Sequence, residues 1–133
     1  MVRVDWDGAK RVGPIAVGMT LEQVQAAISG HSEVDDHDDD APNSYWVSDE
    51  LGLITVLRDA VVVQIMAVRE FLVDGVDLIG MPTAEAISLA GGEVAREDWS
   101  RENFIETGSG IELGERGGAI FMVSVPTSEL ITD

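Results

Sequence analysis

The acidic segment at residues 33–46, EVDDHDDDAPNSYW, holds the densest group of side chains that could bind a ligand. Five aspartates fall within six of its positions: Asp35, Asp36, Asp38, Asp39 and Asp40. Carboxylates at this density can bind a divalent cation, attract a basic partner, or keep a loop solvated by mutual repulsion. Tyr45 and Trp46 end the segment, and aromatic side chains of these types often act as anchors in protein interfaces.

The spacing of the aspartates does not fit a calcium-binding loop. Such a loop needs glycine at its sixth position and glutamate at its twelfth. Counted from Asp36, these positions hold Ala41 and Val47. His31 and His37 are the only histidines and the chain has no cysteine, so a transition-metal site also lacks ligands. The sequence therefore predicts no metal and no cofactor.

The glycine-rich stretch at residues 108–118, GSGIELGERGG, does not match a nucleotide-binding or hydrolase motif. A dinucleotide fingerprint would need a third glycine where Leu113 stands, followed by a helix instead of a strand. A nucleophile elbow around Ser109 would need glycine in place of Thr107. The glycines suit a tight hairpin turn instead, and we expect the protein not to be an enzyme.

The net charge excludes several classes of partner. The 133 residues carry 25 acids against 8 bases, which gives a formal charge of −17. Such a surface repels nucleic-acid phosphates and accelerates encounter with a basic protein. The charged start, MVRVDWDGAKRVG, is unlike a secretory signal, and no apolar run approaches the ~20 residues of a membrane span. We therefore expect a cytoplasmic protein with a basic protein partner, binding neither nucleic acid nor membranes.

Two interpretations of the acidic segment remain open. The first is a solvated loop, which is the usual state of a run of like charges. The second is a partner-binding surface, whose candidate residues are the five aspartates, Tyr45 and Trp99. Trp99 lies among charged residues in AREDWSRENF, where it could be an exposed anchor or could pack over a sheet edge. Trp46 matches Phe104 in the internal repeat described below, which favours a core position for Trp46 and an outward direction for Tyr45.

The chain contains an internal repeat, and such repeats often define the fold. Residues 46–68 align without a gap on residues 104–126, which matches Trp46 with Phe104. Upstream, Thr20 matches Thr83, which lies 63 residues further along the chain, whereas the aligned strands are 58 residues apart. The first copy therefore has five extra residues between its helix and its strands, and the acidic segment lies in this insertion.

Each copy predicts one helix. Thr20 is a suitable N-cap, the glutamine three residues later completes a capping box, and the following apolar residues are spaced for one helix face. The helices are predicted over residues 20–29 and 83–90, with Thr83 as the second cap. Gly30 is predicted to end the first helix.

Three strands follow each helix. They are predicted over residues 45–48, 53–57 and 61–68 in the first copy, and 103–106, 111–113 and 119–125 in the second. The prediction is an α+β fold: two repeats of a helix plus a three-stranded antiparallel meander, sharing one sheet and one core in a single domain, residues 1–133. The repeats cover about 12–70 and 71–133, and a half-buried strand at residues 2–6 is expected at an edge.

The start of each repeat resembles a known family. Gly18-Met19-Thr20 precedes the first helix, and Gly80-Met81-Pro82-Thr83 precedes the second. This pattern resembles the BamE/SmpA-type proteins, in which a glycine, a Met-Thr pair and a short helix precede a three-stranded sheet. Two such units in tandem are similar to the beta-lactamase inhibitory protein family and to small bacterial toxin-immunity proteins. The chain departs from the lipoprotein members in having no anchoring cysteine.

The resemblance and the charge together imply a cytoplasmic inhibitor that binds a protein. The most concrete hypothesis is an immunity protein that neutralises a basic bacterial toxin such as a nuclease, because an acidic inhibitor can occupy a basic cleft. The alternative is a non-catalytic scaffold or a small-molecule-binding housekeeping domain, whose acidity serves only solubility.

The excess of acids predicts a salt-dependent stability. Like charges on the folded surface repel one another, and added salt screens them because the Debye length falls to about 10 Å at 0.1 M. We expect the melting temperature to rise between very low and moderate ionic strength, as measured by circular dichroism. A melting temperature that does not depend on salt would contradict this prediction.

Overall fold

The computed structural model describes residues 3–8, 10–35, 43–91, 94–98, 103–107 and 109–125, with side chains except at 34, 35, 43, 94–98 and 103. Its elements in chain order are β1 Arg11–Val12, β2 Ile15–Ala16, α1 Leu21–Ala27, β3 His31–Asp35, β4 Asn43–Ser48, β5 Leu53–Arg58, β6 Val61–Ala67, β7 Leu72–Val73, β8 Val76–Asp77, α2 Thr83–Leu89, β9 Val94–Asp98, β10 Asn103–Thr107, β11 Glu112–Arg116 and β12 Ala119–Val125.

Eight strands form one antiparallel sheet in the order β3-β4-β5-β6-β12-β11-β10-β9. Each half of the chain contributes four consecutive strands, which form a meander because strands that are neighbours in sequence pair in space. The two meanders meet where β6 pairs with β12. Two small hairpins, β1–β2 and β7–β8, lie outside this sheet.

The predicted α+β fold is wrong, because the protein is mostly β: the described residues form twelve strands and only two short helices. Each helix has only 7 residues. The meanders have four strands instead of three, since β3 and β9 form in the charged segments HSEVD and VARED. Both are edge strands, where charged side chains are common because one side of the strand stays unpaired. Neither helix in the described part of the chain is long and apolar enough to cross a membrane.

The pairing of β6 with β12 relates the two halves by an approximate two-fold axis. The three register pairs are Ile65 with Val125, Met66 with Ser124, and Ala67 with Val123. In the repeat, Ile65 corresponds to Val123, Met66 to Ser124 and Ala67 to Val125. Replacing each residue by its counterpart therefore turns the pair Ile65–Val125 into the pair Val123–Ala67, and it turns the pair Met66–Ser124 into itself. The pair Met66–Ser124 therefore lies on the axis, and the halves meet through equivalent strands, as subunits do in a two-fold dimer.

Both halves have a β-bulge at the same place in the meander. The register between β5 and β6 shifts between Val56 and Leu57, and that between β11 and β12 shifts between Gly114 and Glu115. These positions are equivalent in the two copies of the repeat. A bulge adds one residue to one strand and increases the local twist, so the matching bulges give the two meanders the same curvature.

The tight turns that follow the bulges also match, although their residues differ. Asp59 and Ala60 have φ values of 55° and 62°, and Gly117 and Gly118 have φ values of 64° and 85°. Two consecutive residues with positive φ are typical of the type I′ turn, which fits the twist of a two-residue hairpin. Glycine adopts this conformation without strain, whereas alanine does not.

The contacts that position the helices correct the alignment of the repeat. The Gly18 amide donates to the Val62 carbonyl at 2.9 Å, and the Gly80 amide donates to the Ile120 carbonyl at 2.7 Å. The structure thus matches Gly18 with Gly80, whereas the predicted match of Thr20 with Thr83 would place Met81 opposite Gly18. That prediction is wrong by one position. The first copy therefore has four extra residues between its helix and its β5–β6 hairpin, not five.

The two helices begin with different caps. The Thr20 hydroxyl accepts a hydrogen bond from the Gln23 amide at 3.3 Å, and the Gln23 side chain accepts one from the Thr20 amide at 2.9 Å. This confirms the predicted capping box. In α2 the cap is Pro82, which makes no side-chain hydrogen bond, and Thr83 is the first helical residue. The Thr83 hydroxyl is buried without a hydrogen-bond partner, so its predicted role as a cap is wrong.

Gly30 does not end the first helix in the predicted way. The helix ends at Ala27, and its C-cap Ile28 has a φ of −141°, which is extended backbone. A Cβ atom on Gly30 would lie 2.4 Å from the Val47 carbonyl oxygen and 2.8 Å from Nε1 of Trp46. Glycine is therefore needed at this position because the chain passes directly against β4.

One buried cluster joins the helices and the small hairpins to the sheet. Members that are at most 6% exposed include Val12, Ile15, Val24, Ile28, Leu53, Ile65, Ala86, Ala90, Leu113 and Val123. Since α1, α2 and residues of both halves belong to the same cluster, both helices cover the same face of the sheet.

The predicted edge strand at residues 2–6 is wrong. Asp5 forms a single bridge to Leu72, and Val4 is part of the buried cluster. The Leu72 amide donates to the Val4 carbonyl at 2.8 Å. The N-terminal segment therefore pairs with β7 on the helix-covered side, and does not extend the large sheet.

The different turn residues generate a prediction with an internal control. The left-handed conformation strains Ala60 but not Gly118, whose Cβ position is open space. After allowing for the extra backbone entropy of glycine in the unfolded chain, Ala60→Gly is expected to stabilise the protein by about 0.5–1 kcal/mol. Gly118→Ala is expected to destabilise it by a similar amount. Urea denaturation measures both, and a destabilised Ala60→Gly variant would refute the interpretation.

Candidate functional site

The candidate site is the face of the large sheet that is opposite the helices, which we call the open face. Side chains alternate between the two faces along each strand. Leu53 and Ile65 belong to the buried cluster, so Ile54 and Met66 lie on the open face. Every described element outside the large sheet except β8 contributes to the cluster, which lies on the other face of the sheet.

One row of open-face positions crosses all eight strands. Its members, each the register partner of the next, are His31, Val47, Ile54, Met66, Ser124, Glu112, Glu106 and the backbone position of Arg96. We call this the central row. At about 4.8 Å per strand it extends roughly 34 Å across the sheet. The approximate two-fold axis passes through its middle.

The two ends of the central row have different chemistry. The apolar end consists of Val47, Ile54 and Met66, which are all partly exposed. The acidic end consists of Ser124, Glu112 and Glu106, which are 1%, 6% and 5% exposed. The two-fold axis relates Met66 to Ser124, Ile54 to Glu112 and Val47 to Glu106. The backbone of the open face is therefore nearly symmetric, but its side chains are not.

A cleft of about 560 Å³ lies beside the apolar end. Val47, Ile54 and Val68 contribute to its lining, and the charged residues Asp49 and Arg69 also line it. Val68 is 42% exposed and is one of the most exposed large apolar residues in the described part of the chain. The apolar end therefore continues into a concave, solvent-accessible surface.

Aromatic residues flank the central row in both halves. Tyr45 is the register partner of Val56, and Phe104 is the register partner of Gly114. Both aromatics are partly exposed. A Cβ atom on Gly114 would lie 3.0 Å from the Phe121 ring and 3.3 Å from the Phe104 ring, so the two rings meet above a glycine.

The Phe121 ring also contacts a positively charged side chain, that of Arg116. The guanidinium carbon of Arg116 lies 4.4 Å from the centre of the ring, which is within the range of a cation–π contact. Arg116 is exposed and Phe121 is partly exposed, so this pair forms part of the open face near its second aromatic position.

The equivalence of Trp46 and Phe104 that the ungapped alignment predicts is wrong. In the first half Ser48 pairs with Leu53, but in the second half Glu106 pairs with Glu112. The loop between the paired residues is one residue longer in the second half. A shift of one residue moves every side chain of a strand to the other face. Tyr45, not Trp46, is therefore the structural counterpart of Phe104.

Trp46 lies on the helix-covered face, and its predicted core position is confirmed. Its ring packs against the buried cluster, and Nε1 donates a hydrogen bond of 3.4 Å to the Ile28 carbonyl. Tyr45 lies on the opposite, open face, as the alternation predicted. Of the two adjacent aromatics, only Tyr45 is placed to contact a partner.

The other predicted partner-binding residues lie mostly outside the described part of the chain. Asp35 is the last residue of β3, and only its backbone is described. Asp36, Asp38, Asp39, Asp40 and Trp99 lie outside the described residues. The first of the five aspartates thus lies at the end of an edge strand.

Sequence reasoning missed the central row, because its members are far apart in the chain. One signal was available: β5 and β6 read LITVLR and VVVQIMA, with apolar residues on both faces. A strand that is apolar on both faces is normally buried on both faces. In this sheet Ile54 and Met66, on the face opposite the helices, stay partly exposed, and they therefore indicate an interaction surface.

His31 is placed among acids at the edge of the open face. Its Nε2 atom lies 3.4 Å from a Glu33 carboxylate oxygen, and its Nδ1 atom lies 3.9 Å from one of Asp49. All three side chains are at least half exposed, so these contacts contribute little to stability. Within the described residues, no group of three or more histidines and acids is placed to hold a metal ion.

Comparisons of the chain with protein-family models, with curated proteins and with solved structures give no match. The resemblance to BamE/SmpA-type proteins stays a prediction.

The two adjacent aromatics should differ in their effect on stability. Trp46→Ala removes core packing and a hydrogen bond, and is expected to lower the free energy of unfolding by about 2–3 kcal/mol. Tyr45→Ala removes a partly exposed ring, and is expected to cost about 1 kcal/mol. Urea denaturation of both variants tests this order, and an equal or larger loss for Tyr45→Ala would show that the faces are assigned wrongly.

Proposed function

We propose that the protein binds a basic protein partner through its open face and thereby neutralises it. The observation that carries this proposal is the apolar end of the central row: partly exposed apolar side chains on the sheet face opposite the helices, in a chain with a charge of −17. The most concrete form of the proposal is a cytoplasmic immunity protein that inhibits a basic bacterial toxin such as a nuclease.

The apolar end supports binding to a protein. Contiguous exposed apolar residues on a soluble protein mark interaction sites, and here they lie beside a cleft. Tyr45 adds an aromatic side chain of a type that is enriched among the residues that dominate binding energy. A face roughly 34 Å across is wide enough for an interface of standard size.

The charge supports a basic partner. The acids of the chain give a long-range potential that accelerates the approach of a positively charged protein, and exposed charges of this kind act mainly on the association rate. The five aspartates of the acidic segment add to this potential. A nuclease must present a basic cleft to nucleic acid, and an acidic surface can cover that cleft.

Two equally exposed valines allow a matched test. Val68 lines the cleft at the apolar end, and Val76 lies in the β7–β8 hairpin away from the large sheet; each is 42% exposed. The partner is first captured on the immobilised protein from an extract of the native host, identified, and purified. Binding kinetics are then measured by surface plasmon resonance at two salt concentrations.

We expect Val68→Ser to weaken binding about 5-fold or more and Tyr45→Ala about 30-fold, both through faster dissociation. Val76→Ser should bind like the wild type. Replacing the five aspartates by asparagine should slow association about 10-fold at low salt, and added salt should remove most of this difference. The captured partner should be basic, and its activity should fall when the protein is added in stoichiometric amounts.

Three results would contradict the proposal. The first is a partner without net positive charge, and the second is equal behaviour of Val68→Ser and Val76→Ser. The third is a partner whose activity is unchanged in the complex, which would favour the scaffold alternative.

A further inference from the structure

A cavity of about 450 Å³ lies on the helix-covered side of the first half, between the end of α1 and the loop that joins β4 to β5. This volume is within the range of roughly 300–1,000 Å³ that is typical of small-ligand sites. The apolar part of its lining includes Val4, Ile28 and Leu51, of which Val4 and Ile28 belong to the buried cluster. The cavity is separate from the cleft on the open face, although Ser48 and Arg69 border both.

Three charged side chains, Glu50, Arg69 and Glu70, also line the cavity. Glu50 and Arg69 are exposed and Glu70 is partly exposed, so all three are accessible from solvent. The Arg69 guanidinium donates a hydrogen bond of 2.7 Å to the Glu50 backbone carbonyl. One carboxylate oxygen of Glu70 accepts a hydrogen bond of 3.1 Å from the Val4 amide. Both of these partners are neutral backbone groups, so neither bond compensates a charge.

Opposite charges line this cavity without pairing. Within the described part of the chain, none of the three side chains forms an ion pair. Among the same residues the Glu50 carboxylate and the second oxygen of Glu70 accept no hydrogen bond, and Arg69 uses one of its five guanidinium donors. A few polar groups that converge on an apolar cavity are typical of a ligand site. Groups of both signs suit a ligand that carries both charges.

The second half has a different arrangement at the equivalent place. There the longer β10–β11 loop contacts the end of α2, because the Ser109 hydroxyl donates a hydrogen bond to the Ala90 carbonyl. Ile28 is the counterpart of Ala90 in the first half, and its carbonyl bonds to a residue of the sheet instead. The cavity at the end of α2 is smaller, about 280 Å³, and its charged lining consists of Asp7 and Asp74 without a base. The wider cavity with charges of both signs is therefore specific to the first half.

We propose that this cavity binds a small zwitterion with an apolar side chain, of which the apolar α-amino acids such as leucine are the simplest. The Arg69 guanidinium donates hydrogen bonds to the carboxylate of the ligand, and the carboxylates of Glu50 and Glu70 accept hydrogen bonds from its ammonium group. The apolar side chain of the ligand covers Val4 and Leu51. Arginine suits this role because its planar donors can bind both oxygens of a carboxylate. A zwitterion carries no net charge, so the charge of −17 does not repel it.

The site is tested with L-leucine on the isotopically labelled protein, and amide chemical shifts are followed by NMR. We expect saturable shifts centred on residues 4, 28, 48–51 and 69–70. Three analogues each lack one of the recognised groups: L-leucinamide lacks the carboxylate, isocaproate lacks the ammonium group, and glycine lacks the apolar side chain. Each analogue should bind about 5-fold or more weakly than L-leucine.

Variants of the charged residues separate their roles. Arg69→Gln should weaken the binding of L-leucine about 5-fold or more without weakening that of L-leucinamide, which has no carboxylate for the guanidinium to bind. Glu50→Gln and Glu70→Gln should weaken the binding of L-leucine and L-leucinamide, but not that of isocaproate. A general disturbance of the fold would weaken all three ligands together, so these contrasts report on the individual contacts.

Arg11→Gln and Glu85→Gln are the matched controls, because each removes the same charge from an exposed side chain that does not line the cavity. Both should bind L-leucine like the wild type. The proposal is refuted if L-leucine causes no saturable shifts at the cavity up to its solubility limit, or if L-leucinamide and isocaproate bind as tightly as L-leucine. Equal weakening of L-leucine and L-leucinamide by Arg69→Gln would also refute it. All of these measurements use the protein alone, so their outcome is independent of the function proposed for the open face.

Discussion

The antiparallel pairing of β6 with β12 is the contact on which the rest of the structure depends. Only three register pairs join the two meanders, yet Ile65, Ala67, Val123 and Val125 on these strands are at most 1% exposed. Their burial places both helices on one face over a common cluster, because a half with one short helix would have too little core of its own. The same pairing makes the central row continuous across eight strands on the opposite face.

A one-residue difference in register gives the two halves their different surfaces. In the second half the longer β10–β11 loop turns Ile105 into the core and Glu106 onto the open face. The same shift moves Phe104 to the open face, where it becomes the counterpart of Tyr45. Nearly equivalent backbones thus carry an apolar end on one side of the axis and an acidic end on the other. Register, and not composition alone, decides which side chains a partner meets.

The sequence predicted the elements that depend on local interactions and missed those set by pairing across the sheet. The capping box at Thr20 and the apolar runs of β5 and β6 placed α1 and the first hairpin within about two residues, because caps, alternation and turn residues are local signals. β3 and β9 were missed, since their charged residues are tolerated only at the edge that the finished sheet provides. Of the candidate site, only Tyr45 was both predicted and described on the open face, because the central row is assembled from strands far apart in the chain.

For the proposed basic partner, the unequal ends of the central row would provide what net charge cannot, which is a defined orientation on the sheet. A charge of −17 attracts a basic protein from any side, and such attraction accelerates encounter without selecting one docked arrangement. On the open face, a partner turned by half a revolution about the two-fold axis would find the same backbone. Its apolar residues would then meet Glu112 and Glu106 in place of Ile54 and Val47. If a partner docks on the open face, as proposed, the asymmetric side chains on a nearly symmetric sheet would favour one of these two orientations over the other.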